Sequence, residues 1–405
     1  MKQSHSNPMK KIFTYFFLTL LLMIVHASVF CQTNDPAATS LFVTKKIHSK
    51  ILGEDRRINI YSPVKPNDST HYPVLYVLDA EVMMSMVAGQ VQYLSESYKI
   101  IPSMIIVGIE NTDRTRDLTP TRSIIGPDGK PDTTANAFGK NSGGGEKLFQ
   151  FMRDELMPYV EQNFPCAPYK ILYGHSLGGL MAIHAMINHP GLFNSYIALS
   201  PSLQWDTETL LKQFETAKNN EHIKGFLFFS DANEGGAFHQ NQLRLDSVLK
   251  QKNIKGLNYK YIYYPGETHI SEPIKGFYDG LKHIYPNWFL PYNSSSFRKT
   301  MTAKMLYDQY EMLSAKYNYK VIPPQFEINQ VSRMLRRDSA KINDAIGLLE
   351  MNVRNYPSSA VTYEILGDTY LLASDKPRAL ASFEKALSLN KENEALKQKI
   401  NKLKN

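Results

Sequence analysis

The chain has 405 residues, 43% of them hydrophobic, and a formal charge of +8. That length exceeds one ordinary domain and suffices for two, and the composition is globular. The positive excess is scattered, with Lys2, Lys10 and Lys11 at the N-terminus, and no basic run interleaved with aromatics points to nucleic acid.

In chain order, "MKKIFTYFFLTLLLMIVHASVFCQTND" from Met9 joins a basic start, a long apolar run and a polar exit. This is the pattern of a secretory signal, read here over residues 1–31 with cleavage after Cys31. The expectation is an exported protein, periplasmic or secreted, with no stable membrane insertion once the signal is removed. Two other readings of the stretch are a retained anchor over Ile12–Phe30, nearly long enough to span, and a lipid on Cys31, against which the bulky Phe30 argues. Cleavage leaves Cys166 as the only cysteine and therefore no internal disulfide.

From Ser40 to Pro286 strands and helices mostly alternate. "SLFVTKKIHSKIL" and "RRINIYSP" form an initial pair, "YPVLYVLD" a buried strand, "MMSMVAGQVQYL" a helix and "SMIIVGIE" the next strand. A polar stretch, 111–145, follows. It is too long for an ordinary connection and leaves the C-terminal end of a central strand, where such sheets bind ligands, so it reads as a substrate-side cap or as an unstructured insertion. "EKLFQFMRDELMPYVEQNF" is an amphipathic helix with Leu148, Phe151, Met152, Leu156 and Tyr159 on one face. After "YKILYGHSLGGLMAIHAM" come the strand "SYIALS", the helix "DTETLLKQFETAK", the strand "GFLFFSD", the helix "NQLRLDSVLKQ", the strand "YKYIYYP" and the helix "IKGFYDGLKHIY". The alternation specifies an α/β fold, a mostly parallel central sheet of about eight strands covered on both faces.

Beyond Asn293 the pattern is helical and it repeats. Tyr363, Leu366, Gly367, Tyr370, Ala379, Phe383 and Ala386 fall at tetratricopeptide spacing, and Ala345 and Leu349 precede Ala379 and Phe383 by 34 residues. The division expected is an α/β domain over 39–293 and a small all-α tetratricopeptide-like domain over 300–405. Few contacts should cross a boundary marked by "YNSSS". Two repeats alone are marginal, so they should lean on "TAKMLYDQYEMLSAKY" or on the first domain, and they are candidates to recruit a protein partner.

The chemistry centres on Gly174-His175-Ser176-Leu177-Gly178, a G-x-S-x-G sequence between a strand and a helix. A tight strand–turn–helix corner exposes a serine hydroxyl, and the next amide, that of Leu177, points at a developing oxyanion. The glycines let strand and helix close on each other. With eight strands and the serine after the fifth, the order is that of the α/β-hydrolase fold, in which acid and base follow the serine. His269, in "YYPGETHISEP", sits in the loop after the last strand and is the candidate base. His175 should point away from the groove. His184 and His189, on the elbow helix, lack metal-ligand spacing and read as packing or surface histidines. The acid should follow "GFLFFS", where Asp231 and Glu234 both stand. Glu234 is favoured because its loop can bend back toward His269, and Asp231 is the alternative. The second oxyanion amide belongs to Ala80 or Glu81, in the loop after the third strand.

These segments resemble the putative esterase family of α/β-hydrolases, which includes esterase D and enterochelin-esterase-like enzymes. The resemblance rests on "YPVLYVLDAE", "RTRDLTPTRS", "GGGEKLFQFMRDELMPYVEQNF", "YGHSLGGL", "ALSPSLQW" and "GETHISEP", over roughly residues 40–290. It implies carboxylic-ester hydrolysis without cofactor or metal, with Ser176 as nucleophile and His269 as base. It favours Glu234 as the acid. It also implies that Arg116, Asp117 and Trp205, in "RTRDLTPT" and "SPSLQW", line the substrate. Two departures are Ala80, where the family often has glycine, and Gln204-Trp205, where it often has an aromatic pair. The expectation is therefore an exported serine esterase acting on a small-molecule or oligosaccharide ester, such as a siderophore or carbohydrate ester. The rival expectation is a non-catalytic hydrolase-fold scaffold that recruits a partner through its repeats.

Overall fold

The computed structural model describes residues 40–64, 70–126, 129–290 and 300–405. The signal segment and the boundary at 293 lie outside them. Residues 42–405 form one compact unit. No helix among the described residues is long and apolar enough to cross a membrane.

Eight strands make one sheet: β1 (Val43–Ser49), β2 (Glu54–Tyr61), β3 (Tyr72–Val77), β4 (Ile105–Ile109), β5 (Cys166–His175), β6 (Ser195–Leu199), β7 (Gly225–Ala232) and β8 (Leu257–Tyr264). Their spatial order is β1-β2-β4-β3-β5-β6-β7-β8. The β1–β2 and β2–β4 pairs are antiparallel and the others parallel. This is the α/β-hydrolase arrangement, with the elbow after the fifth strand. The central strands "YPVLYV" and "IIVGI" are buried throughout because helices cover both faces. The edge strand β1 is largely exposed and carries Lys45 and Lys46, charges that discourage pairing with another chain.

The covering helices are α1 (Ala80–Gln92), α2 (145–163, with a π-helical turn at Met152–Leu156), α3 (Leu177–Asn188), α4 (Trp205–Thr216), α5 (Gly236–Lys252) and α6 (Glu272–Ile284). On α2 the expected apolar face is buried at Leu148, Phe151, Met152 and Leu156. Helix α3 is buried on every side, as its unbroken apolar composition requires. Helix α4 starts irregularly, because Asp206, Thr207 and Glu208 are left-handed.

After residue 300 come α7 (Ala303–Tyr317), α8 (Gln325–Leu335), α9 (Ile342–Asn355), α10 (Ala360–Leu372), α11 (Lys376–Leu389) and α12 (Glu394–Lys404). Gly367 lets α10 and α11 touch: a Cβ there would lie 2.5 Å from the Phe383 ring. The helices do not stand apart from the sheet. Tyr317 packs edge-on to Tyr169 of β5 at 5.2 Å, lies 5.1 Å from Tyr285 and 5.8 Å from Trp288, and donates its hydroxyl to Ile284 O at 2.7 Å. One apolar core runs from the sheet face through Phe277 and Ile284 to Leu306, Leu313, Val331 and Leu348. The expectation of few contacts across the 293 boundary therefore does not hold. The sequence marked a polar connection but could not show that α7 covers an aromatic end of the sheet.

Candidate active site

The elbow is built by close approach. Ser176 has φ 59° and ψ −117°, a strained conformation for a residue with a side chain. It is held by Ser176 N donating to Leu199 O at 2.9 Å and by its own carbonyl accepting from Ser202 N at 3.1 Å. A Cβ on Gly174 would fall 2.1 Å from Gly178 O, so that position admits only glycine. Gly178 itself is less crowded, since a Cβ there would meet Leu78 and Asp79 at 3.4 and 3.5 Å. The other tight glycine is Gly179, where a Cβ would come within 2.8 Å of Leu199 O. Thus the motif's first glycine, Gly174, and Gly179 just beyond the motif, rather than Gly178, set how closely β5, β6 and α3 meet.

Leu177 and Gly178 open α3, where amides have no acceptor within the helix. Ala80 and Glu81 open α1 in the same way, after a left-handed Asp79. Gly108 of β4 makes room there, because a Cβ on it would lie 2.7 Å from Ala80 Cβ. The methyl group that departs from the family pattern is thus accommodated across the sheet. The Asp79 carboxylate accepts from Arg114 Nε at 2.7 Å, Arg114 Nη2 at 2.9 Å and Asn111 Nδ2 at 2.6 Å. Glu81 accepts from Asn111 Nδ2 at 2.8 Å. Both side chains fix the start of the 111–145 segment against the start of α1.

His269 Nδ1 lies 2.8 Å from Glu234 Oε2, and Ser200 Oγ donates to Glu234 Oε1 at 2.5 Å. Burial alone would raise the Glu234 pKa, but the bonds from His269 and Ser200 outweigh it and hold the carboxyl below its ordinary value. Asp231 belongs to a different group. It is fully buried, pairs with His239 Nδ1 at 2.6 Å and accepts from Tyr261 Oη at 2.7 Å. Burial keeps its carboxyl above the usual range despite those bonds. His175 does not simply point away: its buried ring packs 4.4 Å from the His269 ring. Burial pushes its pKa down to about 3, so it stays neutral beside the imidazole it supports.

Among the described residues the hydrogen-bond partner of Ser176 Oγ is Ser202 Oγ, at 3.3 Å. Bonds between elbow serine and imidazole often tighten only when substrate is present. Ser200 and Ser202 belong to "SPSLQW", which the resemblance places on the active-site face, but neither serine had a role assigned from the sequence, because a Ser-Pro-Ser run at the end of a strand says nothing of what lies opposite. Glu272 was also missed. It is fully buried, accepts from Ser230 Oγ, and lies 3.3 Å from Ser200 Oγ. Burial raises its pKa to about 8.

The residues taken from "RTRDLTPT" need correction. Asp117 is only 1% exposed and has no surface to offer a substrate. It accepts from the buried Arg56 at 2.6 Å and from Arg116 Nε at 2.8 Å, while Arg116 also grips Glu54 at 2.7 Å. Both side chains serve to tie the segment to β2. Charges out of water must be paired, and these are. Arg114, two residues earlier, is the guanidinium beside the oxyanion loop. Trp205 is buried, with Nε1 3.2 Å from Thr121 O and its ring 6.3 Å from Phe138. It therefore closes the segment against the turn carrying Ser202. Within the segment, Ser123 N donates to Ser142 Oγ at 2.9 Å and Gly145 N to Thr119 O at 3.0 Å, so its described parts are internally bonded rather than unstructured.

An elbow serine at the C-terminal end of this sheet order, with a carboxylate-held imidazole packed on the preceding residue, His175, defines a hydrolase of the α/β-hydrolase fold. Residues 49–257 match the family described as "Putative esterase", and the chain belongs to it. It is a carboxylic ester hydrolase. The chain is 29% identical over 238 residues to the ferri-bacillibactin esterase BesA of Bacillus subtilis, covering 54% of this chain and 81% of that one. It is 33% identical over 142 residues to a siderophore enterobactin esterase of Emericella nidulans, covering 32% of this chain and 43% of that relative. An IroE-like serine hydrolase from Shewanella oneidensis superposes with a TM-score of 0.64 at 29% identity, over 76% of this chain and 98% of that one.

Proposed function

We propose that the protein is an exported serine esterase that works through Ser176, His269 and Glu234 and cleaves esters of the siderophore class. The observation that carries the reading is the 2.8 Å pair of Glu234 and His269, whose ring packs 4.4 Å from His175, the residue before the elbow serine. The names of the relatives, esterases of ferri-bacillibactin and enterobactin, supply the substrate class. Glu234 holds the imidazole in the tautomer with its proton on Nδ1, leaving Nε2 free to accept. Ser176 Oγ attacks the ester carbonyl as Nε2 takes its proton. The amides of Leu177 and of Ala80 or Glu81 hold the oxyanion. The intermediate collapses, the C–O bond breaks and the alcohol leaves with the proton from Nε2. Water, deprotonated by the same nitrogen, then releases the acid and restores Ser176. The N-terminal signal is the basis for export, and the helical hairpins after residue 300 fit a tetratricopeptide-like module.

The test is a hydrolysis screen over a catecholate trilactone, a feruloyl ester, an acetylated sugar and an activated small ester, with fluorophosphonate labelling alongside. Labelling at Ser176 and fastest turnover on the trilactone are expected. Ser176→Ala should lower turnover by about 10⁴–10⁶ while the protein stays folded. A folded alanine variant that keeps a tenth of the activity overturns the nucleophile. A protein that neither labels nor hydrolyses any of the four favours the scaffold reading instead.

A further inference from the structure

At the far end of the elbow helix three metal-ligand side chains converge that have no part in ester cleavage. His184 Nε2 lies 2.5 Å from Glu146 Oε1, and His189 Nε2 lies 3.1 Å from Glu146 Oε2. All the donor atoms fall within 4.8 Å of one another. Glu146 stands in the first turn of α2, His184 in the last part of α3 and His189 at the α3 C-cap. His184 stands eight residues along α3 from Ser176, about 12 Å at 1.5 Å per residue, and His189 stands farther still.

We propose that Glu146, His184 and His189 form a divalent transition-metal site, of the chemistry that takes Zn²⁺, joining the start of α2 to the end of α3. Two imidazoles and one carboxylate are a common zinc donor set, and three protein ligands leave one position for water. Ligands about 2.1 Å from a tetrahedral ion stand roughly 3.4 Å apart. The observed separations need adjustments of about 1 Å to reach that geometry, within reach of the half-exposed Glu146 side chain.

His184 is nearly buried, with its Nε2 turned to Glu146. Outer partners already orient it. Asn188 Nδ2 is 3.0 Å from His184 Nδ1, and Gln213 Nε2 donates to Asn188 Oδ1 at 2.7 Å. Turning both amides over, an exchange of O and N that leaves their shape unchanged, lets Asn188 Oδ1 accept from a protonated Nδ1 and Gln213 Oε1 accept from Asn188 Nδ2. Nε2 is then free to coordinate with no proton lost, and the long 3.4 Å bond from Asn188 Nδ2 to His184 O is given up. Metal-bound histidines are held by outer hydrogen bonds of this kind. The buried Phe149 ring forms one wall, stacked 6.1 Å from His184 and 4.8 Å from His189.

The experiment uses the full chain without a polyhistidine tag, stripped with chelator and titrated with zinc chloride by calorimetry and thermal unfolding. One zinc per chain should bind, and at a hundredfold excess over Kd the unfolding midpoint should rise by about 3–4 °C. Glu146→Gln and His189→Gln should each weaken binding by more than about 10-fold. His48→Gln, which removes a surface histidine paired only with Asp55, should not. No uptake, or uptake untouched by both substitutions, overturns the site. Should the variants misfold, Co²⁺ on the unaltered chain decides. A low-symmetry His/carboxylate site gives intense visible absorption, and a spectrum no different from aqueous Co²⁺ rules it out.

Discussion

At the residue scale, the choice between two carboxylates at the end of β7 decides the chemistry. Asp231 is still directed by the strand, and the pleat turns it toward Tyr261 and His239. Glu234, three residues on, has left the sheet and reaches back to His269. Replacing Glu234 by Gln should keep the fold and lower turnover on an activated ester by up to about 10⁴, because the imidazole loses the partner that fixes its tautomer. Asp231→Asn should change turnover by less than a few-fold. Parallel kinetics on the two variants check this, and the opposite ranking would move the acid to Asp231.

At the element scale, the first residue of α6 carries a buried acid under that pair. A helix N-terminus favours a negative charge by about 1–2 kcal/mol at best. Withdrawing a carboxylate from water costs more, and burial wins at Glu272, whose pKa rises to about 8. The neighbouring charges of Glu234 and Asp231 act in the same direction. Folded protein thus binds this proton more tightly than unfolded protein, whose glutamate titrates near 4.5. The stability it contributes is whole below pH 4.5 and is lost as pH rises through about 8. Glu272→Gln keeps an acceptor for Ser230 and removes the titration. The variant should match the parent in urea unfolding at pH 5 and exceed it at pH 8 by up to about 4 kcal/mol. An unchanged difference between the two pH values would show that Glu272 is charged in the folded state.

At the scale of the whole molecule, the helices after residue 300 are part of the hydrolase core. Tyr169, Tyr285 and Trp288 are buried against Tyr317, and each large aromatic side chain returned to water costs about 1.5–3 kcal/mol. Ending the chain near Asn293 should therefore give insoluble protein, or soluble protein without a cooperative thermal transition. The milder Tyr317→Ala should cost about 3–5 kcal/mol in denaturant unfolding. A truncated chain that unfolds cooperatively and hydrolyses esters at the parent rate would show the helices to be a separate unit.

The sequence by itself determined what is local. Alternating strands and helices and the Gly-His-Ser-Leu-Gly corner each occupy a few adjacent residues, where backbone preference and periodicity leave their mark. The tertiary structure decided what depends on approach across the sheet. Gly179 is needed because Leu199 of β6 lies against it, and Ala80 is allowed because Gly108 of β4, which faces it, has no side chain. Asp117 turned from substrate ligand to anchor because its partner, Arg56, stands 61 positions away on β2. Glu146 meets His184 and His189 for a similar reason: the packing of α2 on α3 joins residues whose spacing along the chain carries no metal signature. Burial and electrostatic pairing act through space between residues distant in sequence, so neither composition nor spacing records them.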